Sequence, residues 1–185
     1  MAVLPIYTYG APVLREKARP VKEVTDDVIR LIMDMFETMH KAGGIGLAAT
    51  QVGRLERIIV IDVSDIEELK EVKPLTIINP EVMSPEGTLK MEEGCLSIPD
   101  IRDEVVRADA FKLRYRDTSF RSVEMEVRGM LGRVILHEID HLNGVLFLDH
   151  LTAAQLRNHS DELKKIERGD MEVSYPVVTA VDIAA

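Results

Sequence analysis

The chain has a single cysteine, Cys95, so no disulfide can close within it, and a lone thiol suits a reducing compartment. No stretch approaches the roughly 20 consecutive apolar residues that a bilayer-crossing helix needs. The first residues, Met1-Ala-Val-Leu-Pro-Ile-Tyr, lack a basic n-region, and Pro5 and Pro12 interrupt any apolar run there. These absences predict a soluble, cytoplasmic protein with no membrane partner. Basic residues are also short, with 23 Lys and Arg against 32 Asp and Glu and a formal net charge of −9. Broad contact with a phosphate backbone needs Lys and Arg in excess on one face, so direct sequence-specific nucleic-acid binding is not expected. Internal repeats, low-complexity blocks and Pro/Ser-rich linkers are missing too.

What is present is 185 residues, enough for one domain that buries about 70% of the surface its unfolded form exposes. Residues 25–42 read as an amphipathic helix. Thr25 or Asp26 can cap it, Val28, Leu31, Ile32, Met35 and Met39 recur at helical spacing, and Gly43-Gly44 stops it. The runs at 57–62 and 75–80 look like buried strands, the second closed by Asn79-Pro80. Residues 110–116 and 121–128 alternate apolar and polar around the turn at 117–120, which predicts a hairpin. Residues 63–73, rich in Glu and Lys, read as a solvated loop or helical turn. A helix is expected over 129–143 and another over 152–168. Residues 1–170 make a single domain in this reading, and the apolar tail 171–185 has no placement. The assembly these pieces suggest is α+β, with antiparallel β-sheets packed around a central helix, the one at 129–143.

The string His137-Glu-Ile-Asp-His141 carries the chemistry. At 100° per residue, positions four apart differ by about 40°, so the two imidazoles share one face and can reach one ion. Glu138 lies about 60° to the side of His141, beside the ion without being a ligand. A third ligand is required. Downstream, Phe147 stands where one class of HExxH protease has its third His, and Glu162 lies in a charged segment that reads as a solvated face. Upstream, Cys95 is a better donor: a thiolate binds a borderline-soft divalent ion well, and Gly94 frees the backbone to turn the sulfur inward. Glu92-Glu93-Gly94 read as a polar bend.

The glycines of 43–53 allow two readings. Gly44-x-Gly46-x-x-Ala49 with Asp62 matches a dinucleotide fingerprint, but that fingerprint must follow a strand and open a helix. The alternative is close backbone approach to a ligand, with Gln51 offering an uncharged donor and acceptor. Three rivals remain at this level: an endopeptidase with Glu162 as third ligand, a structural metal module closed by His40, His150 or His159, and a dinucleotide-binding protein.

Taken together, GIGLAATQ (44–51), EGCLS (93–97) and HEIDH (137–141) resemble the three signature motifs of the bacterial-type peptide deformylases, in the same order and spacing. The resemblance runs from about residue 9 to 151. It departs at Leu136, where the family often has Gln, and at Thr50, where Pro is common; neither removes a functional group. The resemblance implies hydrolysis of the N-formyl group from N-formylmethionine at the start of newly made polypeptides, releasing formate. It implies Cys95, His137 and His141 as metal ligands with water as the fourth, Glu138 as proton carrier, and Gln51 and the Leu96 N–H at the oxyanion. The ion it implies is ferrous iron, with zinc, nickel or cobalt able to replace it. N-formylmethionyl peptides and nascent chains are the partners, with the ribosome near its exit tunnel as a further one. The Gly-rich strand 44–48 is expected to pair with the substrate backbone. Ile45, Gly46, Met91, Gly94, Met130 and Val134 are the candidates for the substrate pocket.

Overall fold

The computed structural model describes all residues from Met1 to Ala185. Its elements, in chain order, are β1 (Ile6–Tyr7), α1 (Asp26–Lys41), β2 (Gly46–Ala48), β3 (Ile58–Ile61), β4 (Leu75–Glu86), β5 (Leu89–Cys95) and β6 (Ile98–Arg107). There follow β7 (Ala110–Arg116), β8 (Ser122–Arg128), α2 (Gly129–Leu142), α3 (Ala153–Asn158), α4 (Ser160–Arg168), β9 (Val177–Val178) and α5 (Ala180–Ala184). No helix is long and apolar enough to cross a membrane.

Five strands form one antiparallel sheet in the order β2-β3-β4-β7-β8, with β2 on an edge. All four residues of β3 are buried, because both sheet faces are covered. Ile59 and Ile61 join the core under α2, while Ile58 and Val60 join the core under α1. Side chains alternate across a strand, so a strand with two covered faces must be apolar throughout, as Ile-Ile-Val-Ile is. α1 starts as expected, with the Thr25 hydroxyl accepting from the Val28 N–H. It ends where Gly43 turns left-handed at φ 69° and the Gly44 N–H returns to the Met39 carbonyl.

β5 and β6 pair as a separate hairpin, closed by a two-residue turn at Leu96–Ser97. The stretch 92–94 is therefore extended strand, not the bend expected from its polarity. The polar residues persist in the strand because Glu92 is solvent-facing and Glu93 is neutralised inside. The expected helix over 152–168 is split at His159, whose Nε2 is tied to Asp103 at 2.9 Å. The C-terminal stretch also acquires a place: β9 runs parallel to β1, with Ile6 opposite Val177.

Candidate active site

Three elements bring the chemistry together. α2 carries His137, Glu138 and His141, all three buried. The end of β5 supplies Cys95, and the turn after β2 supplies Gln51. The donor atoms of Cys95, His137 and His141 all lie within 4.8 Å of one another, and Cys95 Sγ is 3.2 Å from His141 Nε2. Bonds of about 2.0–2.3 Å to a tetrahedral ion place their donors roughly 3.3–3.8 Å apart, so small closures would let these three hold one ion. His141 Nδ1 and Glu138 Oε2 are buried without partners in the protein.

Glu93 braces the cluster through His137, and sequence reading gave it no role. Its Oε2 accepts from His137 Nδ1 at 2.9 Å, and its two oxygens accept from Arg107 at 2.6 and 2.9 Å. Arg133 Nη1 adds a contact at 2.8 Å. An ionised carboxylate can only accept, so Nδ1 carries the proton and Nε2 is directed to the ligand cluster. Burial works to raise the Glu93 pKa, but the hydrogen bonds from Arg107 and His137 prevail and hold it well below the usual carboxylate range. Arg107 also meets Asp140 at 2.6 Å, and Asp140 meets His150 at 2.7 Å.

Burial opposes charge on His137, yet its contacts with Cys95 and Glu93 hold its pKa well above the ordinary imidazole value. Burial, then the charges of His137 and Arg107, press His141 well below it. Burial pushes Glu138 up to about 7, which poises its carboxyl to accept or give a proton near neutrality.

Gly46 explains how Glu138 fits: a Cβ there would stand 2.6 Å from Glu138 Oε1. Gly44 is constrained in the same way, since a Cβ would come 2.7 Å from Leu96 Cδ1. Gln51 is held by its Oε1, which accepts from the Ala48 N–H at 2.8 Å. That contact directs Nε2 toward Ser97 Oγ at 3.2 Å and Cys95 Sγ at 3.5 Å. The Leu96 N–H finds no acceptor within the protein.

These groups border a cleft of about 560 Å³. Ile45, Gly46, Gly94, Met130 and Val134 line it, as do Gln51, Leu96 and Glu138. Met91 does not. It pairs with Val105, four extended residues back from Cys95, which is on the order of 13 Å along the strand. Residues 172–175 form part of the wall, an unforeseen contribution from the tail. Burial pushes the Tyr175 phenol up to about 12, so it remains a donor across the neutral range.

The rival ligand sources lie elsewhere. Glu162 is exposed on α4, His40 pairs with Asp62, and His150 and His159 are engaged with Asp140 and Asp103. The 44–49 glycines leave a helix and enter a strand, the reverse of the dinucleotide arrangement.

An α+β fold that sets a Cys/His/His cluster beside a buried glutamate in an open cleft defines a metal-dependent hydrolase. The comparisons narrow the class. A family model described as Polypeptide deformylase matches residues 3–157. The peptide deformylase of Salinibacter ruber is 46% identical over 188 residues, covering 97% of this chain and 96% of its own. That of Chlorobaculum tepidum is 45% identical and covers 97% and 96%. The crystal structure of a peptide deformylase from Legionella pneumophila superposes with a TM-score of 0.83 at 37% identity, covering 91% of this chain and 98% of that one. The Ehrlichia chaffeensis peptide deformylase in complex with actinonin gives 0.83 at 35% identity, covering 93% and 100%. The chain belongs to the polypeptide deformylase family. It is a metal-dependent enzyme that removes the N-formyl group from nascent peptides.

Proposed function

We propose that Cys95 Sγ and one nitrogen each of His137 and His141 hold a single divalent ion, ferrous iron in the working protein, with zinc, nickel or cobalt able to take its place. A thiolate and two imidazoles suit a borderline-soft cation, and three protein ligands leave one position open, the pattern of a catalytic site. When bound, the ion supplies a Lewis acid that polarises the formyl group and makes water a nucleophile near neutral pH.

Glu138 does the proton work. Its carboxylate takes a proton from the attacking water and returns it to the departing amine nitrogen. Gln51 Nε2 and the Leu96 N–H meet the formyl oxygen as charge develops on it; one such donor typically contributes about 10²–10³-fold. The free edge of β2 pairs with the substrate backbone as an added strand. Ile45, Met130 and Val134 form the wall around the methionine side chain, with Gly46 and Gly94 allowing the backbone to come close. A formyl carbon bears only hydrogen, so a narrow cleft excludes bulkier acyl groups.

In this reading residues 1–170 form one catalytic domain, and 171–185 is a tail of which residues 172–175 border the cleft. The protein works in the cytoplasm on formylated chains as they emerge, near the ribosomal exit tunnel. The observation that carries the reading is the cluster of three donors next to Glu138, a buried carboxyl with an unpartnered oxygen. Glu138→Gln is expected to keep the metal and lose about 10²–10⁴-fold in formate release from a formyl-Met peptide. Loss of the metal in that variant would make Glu138 a ligand and defeat the assignment.

A further inference from the structure

Tyr175 lies in the segment between α4 and β9, half-buried against the core that holds α1 to the sheet. Its hydroxyl donates to the Leu96 carbonyl at 2.8 Å. The peptide unit so held, between Leu96 and Ser97, is the central peptide of the turn that joins Cys95 to Ile98. Its other end, the Ser97 N–H, points at Cys95 Sγ from 3.4 Å. The central peptide of a two-residue turn has two orientations, related by a flip that reverses its carbonyl and its N–H together. Only one of them aims the Ser97 N–H at the sulfur, and that is the one in which the carbonyl meets Tyr175. A carbonyl that accepts a hydrogen bond also polarises its own amide, which strengthens the N–H as a donor.

The rest of the turn is anchored from the opposite end of the chain. The Tyr9 N–H donates to the Ser97 carbonyl at 2.8 Å, and β1, just before Tyr9, pairs with β9, just after Tyr175. The paired termini therefore grip one turn from two sides.

We propose that Tyr175 is a positioning residue for deformylation, its hydroxyl holding the Leu96–Ser97 peptide in the orientation that directs the Ser97 N–H to the Cys95 sulfur. The proposal rests on the reading of Cys95 as a metal ligand. Tyr175 does not touch the substrate's reacting atoms; it acts through the turn.

The test compares cobalt-loaded wild type with cobalt-loaded Tyr175→Phe, which keeps the ring and its packing and removes only the hydroxyl. Two quantities are read: the near-ultraviolet thiolate-to-cobalt charge-transfer band, and kcat and KM for a formyl-Met peptide. The band is expected to shift, with kcat falling roughly three- to tenfold, the worth of one hydrogen bond, at little change in KM. A residue that merely stabilised the tail would lower Tm and leave the band in place. An unmoved band, or an unchanged kcat, overturns the proposal. If the wild type itself shows no such band, the reading of Cys95 as ligand fails and this proposal falls with it; a wild-type band that the variant preserves removes this proposal alone.

Discussion

At the scale of single residues, two kinds of functional group differ in how visible they are to sequence reading. His137 and His141 announce themselves because the helix period alone puts residues four apart on one face. Glu93 does not, because its partners Arg107, Arg133 and His137 lie far along the chain and meet it only after the β5–β6 hairpin packs against α2. Buried with two guanidinium groups, Glu93 is the charge that makes this interior tenable, and removing one partner of a buried ion pair typically costs about 3–5 kcal/mol. Glu93→Gln is expected to weaken metal binding about 10- to 100-fold through the freed His137 ring and to lower the stability of the metal-free protein at neutral pH. The pH dependence follows from the depressed Glu93 pKa. Such a carboxylate stabilises the fold above its unfolded value of about 4.3, and the contribution is lost as pH falls below it. Denaturant titrations should therefore show a large gap between wild type and variant at pH 7 that narrows progressively below about pH 4. Equal stability at pH 7 would mean that the buried network contributes nothing.

At the scale of elements, α1, α2, β3 and the β7–β8 hairpin were legible because each has one dominant period and clear ends. β4 was read too short. Asn79-Pro80 looked like a terminus, but the strand continues to Glu86, and the ladder with β7 slips between Ile78 and Glu81 so that Pro80 falls in the irregularity. A proline lacks the N–H that a regular ladder needs, and a bulge is where a strand tolerates it. The β5–β6 hairpin was hidden by charge, since its exposed edges carry ion pairs such as Arg102 with Glu92. β2 is short yet decisive, because its edge position and its missing side chain at Gly46 make room for Glu138. Gly46→Ala would bring a methyl group to 2.6 Å from Glu138 Oε1. The carboxylate is the flexible end of its side chain and can move away, but a displacement of about 1 Å at a catalytic group can cost on the order of 10²-fold. The variant should fold, keep its metal and lose activity on that order. Full activity would show that Glu138 tolerates displacement.

At the scale of the whole molecule, the site sits where three pieces converge: a sheet clamped between α1 and α2, a separate hairpin ending in Cys95, and the paired chain termini. The tail could not be placed from sequence, since two-residue strands such as β1 and β9 leave no periodic signal. The sequence already favoured Cys95, upstream of the histidines, over Glu162 downstream. The fold agrees with that preference, since α4 leaves Glu162 in solvent while β5 delivers Cys95 to within 3.2 Å of His141. The most direct test of the account measures metal content and formate release together in wild type, Cys95→Ser, Cys95→Ala and Glu162→Ala, all prepared anaerobically. Cys95→Ser should bind metal much more weakly, since oxygen is a poorer partner for a borderline-soft ion. Cys95→Ala should release no formate, and Glu162→Ala should match wild type in both. Retained metal and activity in Cys95→Ala, with loss of metal in Glu162→Ala, would contradict the account.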